Sequence, residues 1–260
     1  MKKSAVLILM GVLAAHGAFA AIQTRNVDYK DGTTDLQGTV VYDDAFSGKR
    51  PGVLVFHEWM GPGAYERGRA EQLAKLGYVA FIADIYGKGV RPKNAEEARE
   101  QATKYKSDRP LMRQRANAAL AEFKKQELAD PARVGAIGYC FGGTVALELA
   151  RSGADVAGVV SFHGGLDAPN PYDTPNIKAK ILVLHGADDA TMSPEVVTAF
   201  LDGLKASSAD WQFIEYSGAR HGFSNPKNGN DPKSPVAYSE SADRRSWEAM
   251  KQFFREVLGR

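Results

Sequence analysis

Short apolar runs alternate with longer amphipathic stretches along most of the chain. Gly52–Phe56 (G-V-L-V-F), Tyr78–Ala83 (Y-V-A-F-I-A), Arg133–Gly138, Val156–Phe162, Lys180–His185 (K-I-L-V-L-H) and Trp211–Tyr216 are rich in β-branched and aromatic residues. All six predict strands, and the continuous apolar runs Gly52–Phe56 and Tyr78–Ala83 predict strands buried on both faces. Leu36–Tyr42 instead alternates apolar and polar residues, which predicts a strand with one buried face. Between the runs, Glu66–Leu76, residues 94–107, residues 111–127, Thr144–Arg151, Pro194–Ala206 and Ala242–Leu258 read as helices. Gly77 ends the first of them as a C′ glycine, and Asp108–Arg109–Pro110 separates the second from the third. The last carries Trp247, Met250, Phe253, Phe254 and Leu258 on one stripe. Strand and helix in alternation predict an α/β architecture, a mainly parallel central sheet with helices on both faces. No repeat, low-complexity tract or linker divides it, so residues 21–260 are expected to form one domain.

The first 20 residues depart from this pattern. Met1–Lys2–Lys3 is followed by the apolar run Ala5–Ala15 and by Ala18–Phe19–Ala20, a small-x-small cleavage site. That is the form of a secretory signal peptide rather than of a membrane span, because the run is too short for a hydrocarbon core of about 30 Å. An uncleaved anchor or a buried N-terminal helix is the alternative. No cysteine stands at the cleavage site, so a lipid anchor is not expected. Residues 1–20 hold two lysines and no acid, so the mature chain is formally neutral although the whole chain carries +2. A neutral chain gives no reason to expect a nucleic-acid partner. The expected location is periplasmic or secreted, with no stable membrane association once the signal is removed. A hydrophobic share of 44% excludes a multi-span membrane protein, and a single cysteine excludes an internal disulfide or a zinc site built on several thiolates.

In such sheets ligands bind beyond the carboxyl ends of the strands. The residues there are His57–Glu58–Trp59, Asp84–Ile85–Tyr86–Gly87–Lys88, Tyr139–Cys140–Phe141, His163–Gly164, Gly186–Ala187–Asp188–Asp189 and Gly218–Ala219–Arg220–His221. The sharpest motif is Gly138–Tyr139–Cys140–Phe141–Gly142–Gly143, between the strand V-G-A-I and the helix T-V-A-L-E-L-A. It is a nucleophile-elbow pattern with cysteine in the usual place of serine. Glycines are needed there because the turn brings strand and helix backbones together. The start of the following helix favours negative charge on the sulfur and on an oxyanion. A lone cysteine is more often a buried, inert one; the glycines and the strand-to-helix setting argue for the elbow. A nucleophile needs a base and the base an orienting acid, in the order nucleophile, acid, histidine. His221 and the Asp188–Asp189 pair stand in that order. Spacing alone does not separate the two aspartates, and the G-x-x-D pattern favours Asp189. His163 and His185 each end a strand before a glycine and read as packed turn histidines. His57 could line the pocket, and His16 leaves with the signal.

These segments, G-Y-C-F-G-G with H-E-W-M-G upstream and D-D-A-T-M-S-P and G-A-R-H-G-F downstream, resemble the dienelactone hydrolase family of α/β-hydrolases over residues 35–258. The resemblance implies a Cys140, Asp189, His221 triad, a pocket glutamate at Glu58, and an oxyanion hole from the backbone N–H groups of Phe141 and Trp59. It implies hydrolysis of an ester or lactone through a thioester, with a small-molecule substrate and no metal or organic cofactor. Glu58 also has a case of its own, since it stands where the first oxyanion loop should begin. A carboxylate there could hold the thiol or take its proton, and the resting thiol is expected to donate to it. Family members acting on dienelactone hold the substrate carboxylate with two arginines; this chain has Lys88 and Asn225 at those places. Lysine lacks the planar fork that grips a carboxylate in bidentate fashion. Substrate binding is therefore expected from Lys88, Arg91, Arg220 or Lys227, with Tyr86 of the same turn as Lys88. A general carboxylesterase is the alternative activity, and a non-catalytic binding protein on the same scaffold is a further one. A thiol redox protein would need a second cysteine.

Overall fold

The computed structural model describes residues 21–169 and 171–259, so the predicted signal peptide lies outside the described residues. Eight strands form one sheet: β1 (Ile22–Asp31), β2 (Thr34–Asp43), β3 (Arg50–Phe56), β4 (Val79–Ala83), β5 (Ala129–Tyr139), β6 (Gly158–Phe162), β7 (Lys180–Gly186) and β8 (Trp211–Tyr216). Their spatial order is β1-β2-β4-β3-β5-β6-β7-β8. The first two contacts in that order are antiparallel and the rest are parallel. Strands β3, β4, β6 and β7 are buried almost throughout, whereas β8 at the sheet edge is buried only at Tyr216.

Side-chain alternation along these strands feeds two core layers. Val53 and Val55 point to one face with Ile137, Val160 and Leu182, under α1 (Ala64–Lys75) and α6 (Glu240–Leu258). Leu54 and Phe56 point to the other with Phe81, Ala136 and Val159. That face lies under α2 (Ala95–Ser107), α3 (Arg109–Phe123), α4 (Phe141–Arg151) and α5 (Pro194–Lys205). Met250, Phe253, Phe254 and Leu258 of the predicted stripe are buried, and Trp247 packs at its edge.

Three differences from the sequence pattern have local causes. Strand β1 was not expected, because only Val27, Tyr29 and Asp31 of its ten residues are buried. A two-residue turn at Gly32–Thr33, with Gly32 at φ +56°, folds it onto β2 in register from Ile22↔Asp43 to Asp31↔Thr34. Glycine at the first of the two turn positions fits a two-residue hairpin turn, because that position takes a positive φ. The break at Asp108 is a helix start: its side chain accepts the Leu111 N–H at 3.0 Å and Pro110 occupies the first turn. Helix α4 begins three residues earlier than the apolar pattern suggested, directly after Cys140.

Candidate active site

Cys140 stands between the last residue of β5 and the first of α4, with φ +53° and ψ −116°. A Cβ on Gly138 would run into the Gly142 carbonyl, and one on Gly142 into the Phe56 carbonyl. The glycines of the motif are thus places where backbone meets backbone, and the turn they permit leaves Cys140 half-buried. Phe141 opens α4, so its N–H has no acceptor one turn earlier.

The loops after β7 and β8 bring two more side chains to this turn. Cys140 Sγ lies 3.1 Å from His221 Nε2, and His221 Nδ1 lies 2.9 Å from Asp189 Oδ2. The second oxygen of Asp189 accepts the Thr191 N–H at 2.9 Å and the Thr191 hydroxyl at 2.5 Å. Asp188 is exposed and meets the neighbouring loop through its backbone, donating its N–H to Ala219 at 2.9 Å. Geometry therefore separates the two aspartates that spacing left open. Burial works against charge on His221, but the adjacent sulfur and the Asp189 carboxylate raise its pKa to about 10. For Asp189, burial is outweighed by the hydrogen bonds from His221 and Thr191, which hold it down at about 2.

Glu58 follows β3 in a loop held from several sides. Its N–H donates to Glu66 Oε1 at 3.0 Å, and the Gly63 N–H donates to Glu66 Oε2 at 2.9 Å. Its carboxylate accepts Asn225 Nδ2 at 2.7 Å, while the sulfur of Cys140 faces His221. The expected resting bond from the thiol to Glu58 is thus replaced by two others: Asn225 occupies a Glu58 oxygen, and the histidine takes the sulfur. Withdrawal from water, with the Glu66 charge nearby, pushes Glu58 up to about 7 against the pull of Asn225 and His221. Trp59 is half-buried, and its carbonyl accepts the Tyr86 hydroxyl at 2.9 Å.

His57 does not line a pocket. It is fully buried, accepts the Ile85 N–H on Nε2 at 3.3 Å and donates from Nδ1 to the Glu58 carbonyl at 2.6 Å. Burial lowers its pKa to about 4, so it is a neutral brace between the loops after β3 and β4. His185 is buried against Phe213 as a packing residue, in line with the sequence pattern. His163 is buried too, yet its ring nitrogens meet the Cys140 N–H and Ser224 Oγ, links that no sequence signal indicated.

The residues expected to bind substrate are only partly gathered. Tyr86 packs edge-on against His57 and against the Phe141 ring, close to the elbow. The Arg91 side chain borders Gly61 in the Glu58 loop, and its guanidinium is turned to the carbonyls of Gly87 and Val90. Lys88 pairs with Asp28 of β1 at 2.6 Å, both exposed, and so faces the antiparallel edge. Arg220 donates to the carbonyls of Asp231 and Ser234, both at 2.9 Å, and ties down the segment before α6. Lys227 joins the site's surroundings through its backbone N–H on Asn225 Oδ1. Among the described residues no group of three or more His, Cys, Asp or Glu side chains is gathered as metal ligands would be.

The sequence profile of the dienelactone hydrolase family matches residues 36–258. The chain belongs to the dienelactone hydrolase family. A putative carboxymethylenebutenolidase of Aquifex aeolicus is 30% identical over 212 residues, covering 80% of this chain and 89% of its own. The crystal structure of a dienelactone hydrolase-like promiscuous phosphotriesterase from metagenomic libraries is 39% identical, with a TM-score of 0.87 over 92% of this chain and 99% of that one. A dienelactone hydrolase from Anabaena variabilis, 22% identical with a TM-score of 0.68 over 91% of this chain and 99% of that one, shares the fold. The mainly parallel sheet with helices on both faces is accordingly the α/β-hydrolase fold, and the chain is a dienelactone hydrolase-like hydrolase.

Proposed function

We propose that this dienelactone hydrolase family member cleaves esters or lactones through Cys140, His221 and Asp189. The observation that carries the proposal is the unbroken chain from Cys140 Sγ to His221 Nε2 (3.1 Å) and from His221 Nδ1 to Asp189 Oδ2 (2.9 Å). His221 takes the thiol proton, and the sulfur attacks the carbonyl carbon. The carbonyl π pair moves onto oxygen, where the N–H groups of Phe141 and Trp59 receive it; one such donor is typically worth about 3 kcal/mol. As the oxyanion collapses, the C–O bond to the leaving alkoxide breaks and His221 Nε2–H protonates it. The products are a Cys140 thioester and an alcohol, or in a lactone the tethered alcohol. His221 next deprotonates water, which attacks the thioester and releases the acid while the proton returns to sulfur. Asp189 holds the imidazole in the required orientation and balances its charge throughout. Glu58, whose charge interacts with His221 and whose oxygen accepts Asn225, would meet the thiol proton only after Asn225 releases it.

A broad carboxylesterase is the second reading, favoured by one observation: Lys88 is committed to Asp28, and Arg220 to two backbone carbonyls. Neither is free to grip a substrate carboxylate, and Arg91 is likewise engaged by the Gly87 and Val90 carbonyls and by buried Asp84 at 3.7 Å. A panel of neutral esters, neutral lactones, anionic lactones and a phosphotriester, assayed on wild type and Cys140→Ala, tests both readings. Carboxylic substrates turned over by wild type alone, with an acyl mass on Cys140 after acid quench, are the expected result. Equal rates in Cys140→Ala would reject the nucleophile. We further propose export after cleavage near Ala20; N-terminal sequencing of the exported protein should begin near Ala21, and a mature chain retaining Met1–Leu13 would reject it.

A further inference from the structure

Behind the elbow, two strained residues are bonded to one another. Cys140 (φ +53°) and His163 (φ +40°) are the non-glycine residues with positive φ among those described. Few residues other than glycine adopt a positive φ; histidine does so more readily than most, cysteine does not, and the Cys140 turn persists only where surrounding contacts hold it. The Cys140 N–H donates to His163 Nδ1 at 3.1 Å and also faces the Phe162 carbonyl at 3.1 Å. An amide can only donate, so His163 Nδ1 carries the lone pair and the ring proton sits on Nε2. That proton faces Ser224 Oγ at 2.7 Å. The Ser224 hydroxyl then donates to the Tyr65 oxygen at 2.7 Å, and the Tyr65 hydroxyl returns to the Ser224 carbonyl at 3.2 Å. Arg69 closes the network, donating to that same carbonyl at 2.7 Å and to Asp243 at 2.5 Å. One arrangement of protons satisfies every bond.

Ser224 lies three residues beyond His221 in the same loop. A single imidazole therefore spans the backbone of the sulfur-bearing turn and the loop that carries its histidine partner. The His163 ring also lies 5.5 Å from the His221 ring, nearly edge-on. We propose that His163 is the positioning residue that sets the spacing between Cys140 Sγ and His221, by bonding the Cys140 N–H on one side and Ser224 on the other. The bridge requires a neutral ring. Burial and the neighbouring His221 charge hold the His163 pKa well below its ordinary value, so the ring stays neutral while His221 carries its proton. The proposal rests on Cys140 and His221 being nucleophile and base.

Three variants test it. His163→Leu removes both bonds. His163→Asn keeps an acceptor, Oδ1, near the place of Nδ1 and tolerates the left-handed backbone, but loses Ser224. Ser224→Ala leaves the Cys140 bond and cuts the far one. Ester kcat and KM, the rate of Cys140 alkylation by iodoacetamide, and the titre of reactive thiol are measured for each. A displacement of the order of 1 Å at reacting atoms costs about 100-fold, so His163→Leu should lose about that in kcat with KM within threefold. His163→Asn should recover to within about tenfold of wild type, and Ser224→Ala should lose about fivefold, as expected for partial misplacement. Alkylation should slow in the same order at full thiol titre, a change that loss of stability alone would not produce. His163→Leu with kcat within threefold of wild type, or His163→Asn no better than His163→Leu, overturns the proposal. Should His163→Leu not fold, the other two variants decide: Ser224→Ala at the wild-type kcat overturns it, and the graded losses given above support it. Hydrolysis surviving in Cys140→Ala would instead remove the underlying nucleophile reading, whereas an inactive Cys140→Ala beside a fully active His163→Leu removes this proposal alone.

Discussion

The loops after β5 to β8 and the loops after β3 and β4 build the site in different ways. In the first group each polar side chain near Cys140 is held by another from the same group: Asp189 by Thr191, His221 by Asp189, and His163 by Ser224. In the second group the loop backbone is braced just as firmly, by Glu66 and His57, but the cations face elsewhere. Lys88 goes to Asp28, and Arg91 to carbonyls of its own turn. The side chains around Cys140 are thus held in place by one another, whereas the cations of the second group are committed to partners outside it.

Four measurements bear on that contrast. The largest effect belongs to Cys140→Ala, expected to cut ester hydrolysis by about 10⁴ or more, as loss of a triad nucleophile does. Burst and steady-state assays on one ester measure it. Next, Asp189→Asn should cost about 10⁴-fold in kcat, because the amide favours the wrong tautomer of His221. Asp188→Asn should stay within about twofold, as for an exposed residue away from the site. Equal losses at the two positions would mean the acid is not fixed as the geometry has it.

Glu58→Gln comes third. It removes a charge that interacts with His221 and a candidate proton acceptor together, so hydrolysis should fall about 100-fold, the low end for a general base, while alkylation of Cys140 speeds up. With Glu58 near 7, both differences from wild type should grow between pH 6 and pH 8. The same group bears on stability. Its folded pKa is raised above the ordinary 4.5, so its stabilising share is complete below about pH 4.5 and is lost as pH rises through 7. Thermal melts should therefore show Glu58→Gln gaining on wild type from pH 5 to pH 8; a pH-independent difference would count against a buried, titrating carboxylate. The smallest effect is expected at Lys88. An exposed ion pair is worth about 0–1 kcal/mol, and Lys88→Ala should change kcat/KM for neutral and anionic lactones alike, within about twofold. A selective loss on anionic substrates would show that Lys88 leaves Asp28 to bind them, and would weaken the contrast between the two groups of loops.

Much of this was legible in the chain. The buried strands announced themselves as unbroken apolar runs because a parallel sheet covered on both faces has no polar side. The elbow was visible because close backbone approach admits only glycine, and the Asp-then-His order followed from the strands they terminate. Strand β1 was not legible, since most of its ten residues point to solvent and only its hairpin partner orders it.

By itself, then, the sequence determined the layered architecture, the turn bearing Cys140 and the loops that supply His221 and an aspartate, all features encoded by local pattern or by chain order. Only the tertiary structure separates Asp188 from Asp189, adjacent in sequence, by leaving the first exposed and burying the second against His221. Only it turned His57 and His163 from turn residues into braces, and sent Lys88 and Arg220 away from Cys140. Those outcomes depend on which group lies within hydrogen-bond reach, from 11 residues along the chain for Arg220 to 61 for His163, and side-chain direction is there set by packing rather than by composition or spacing.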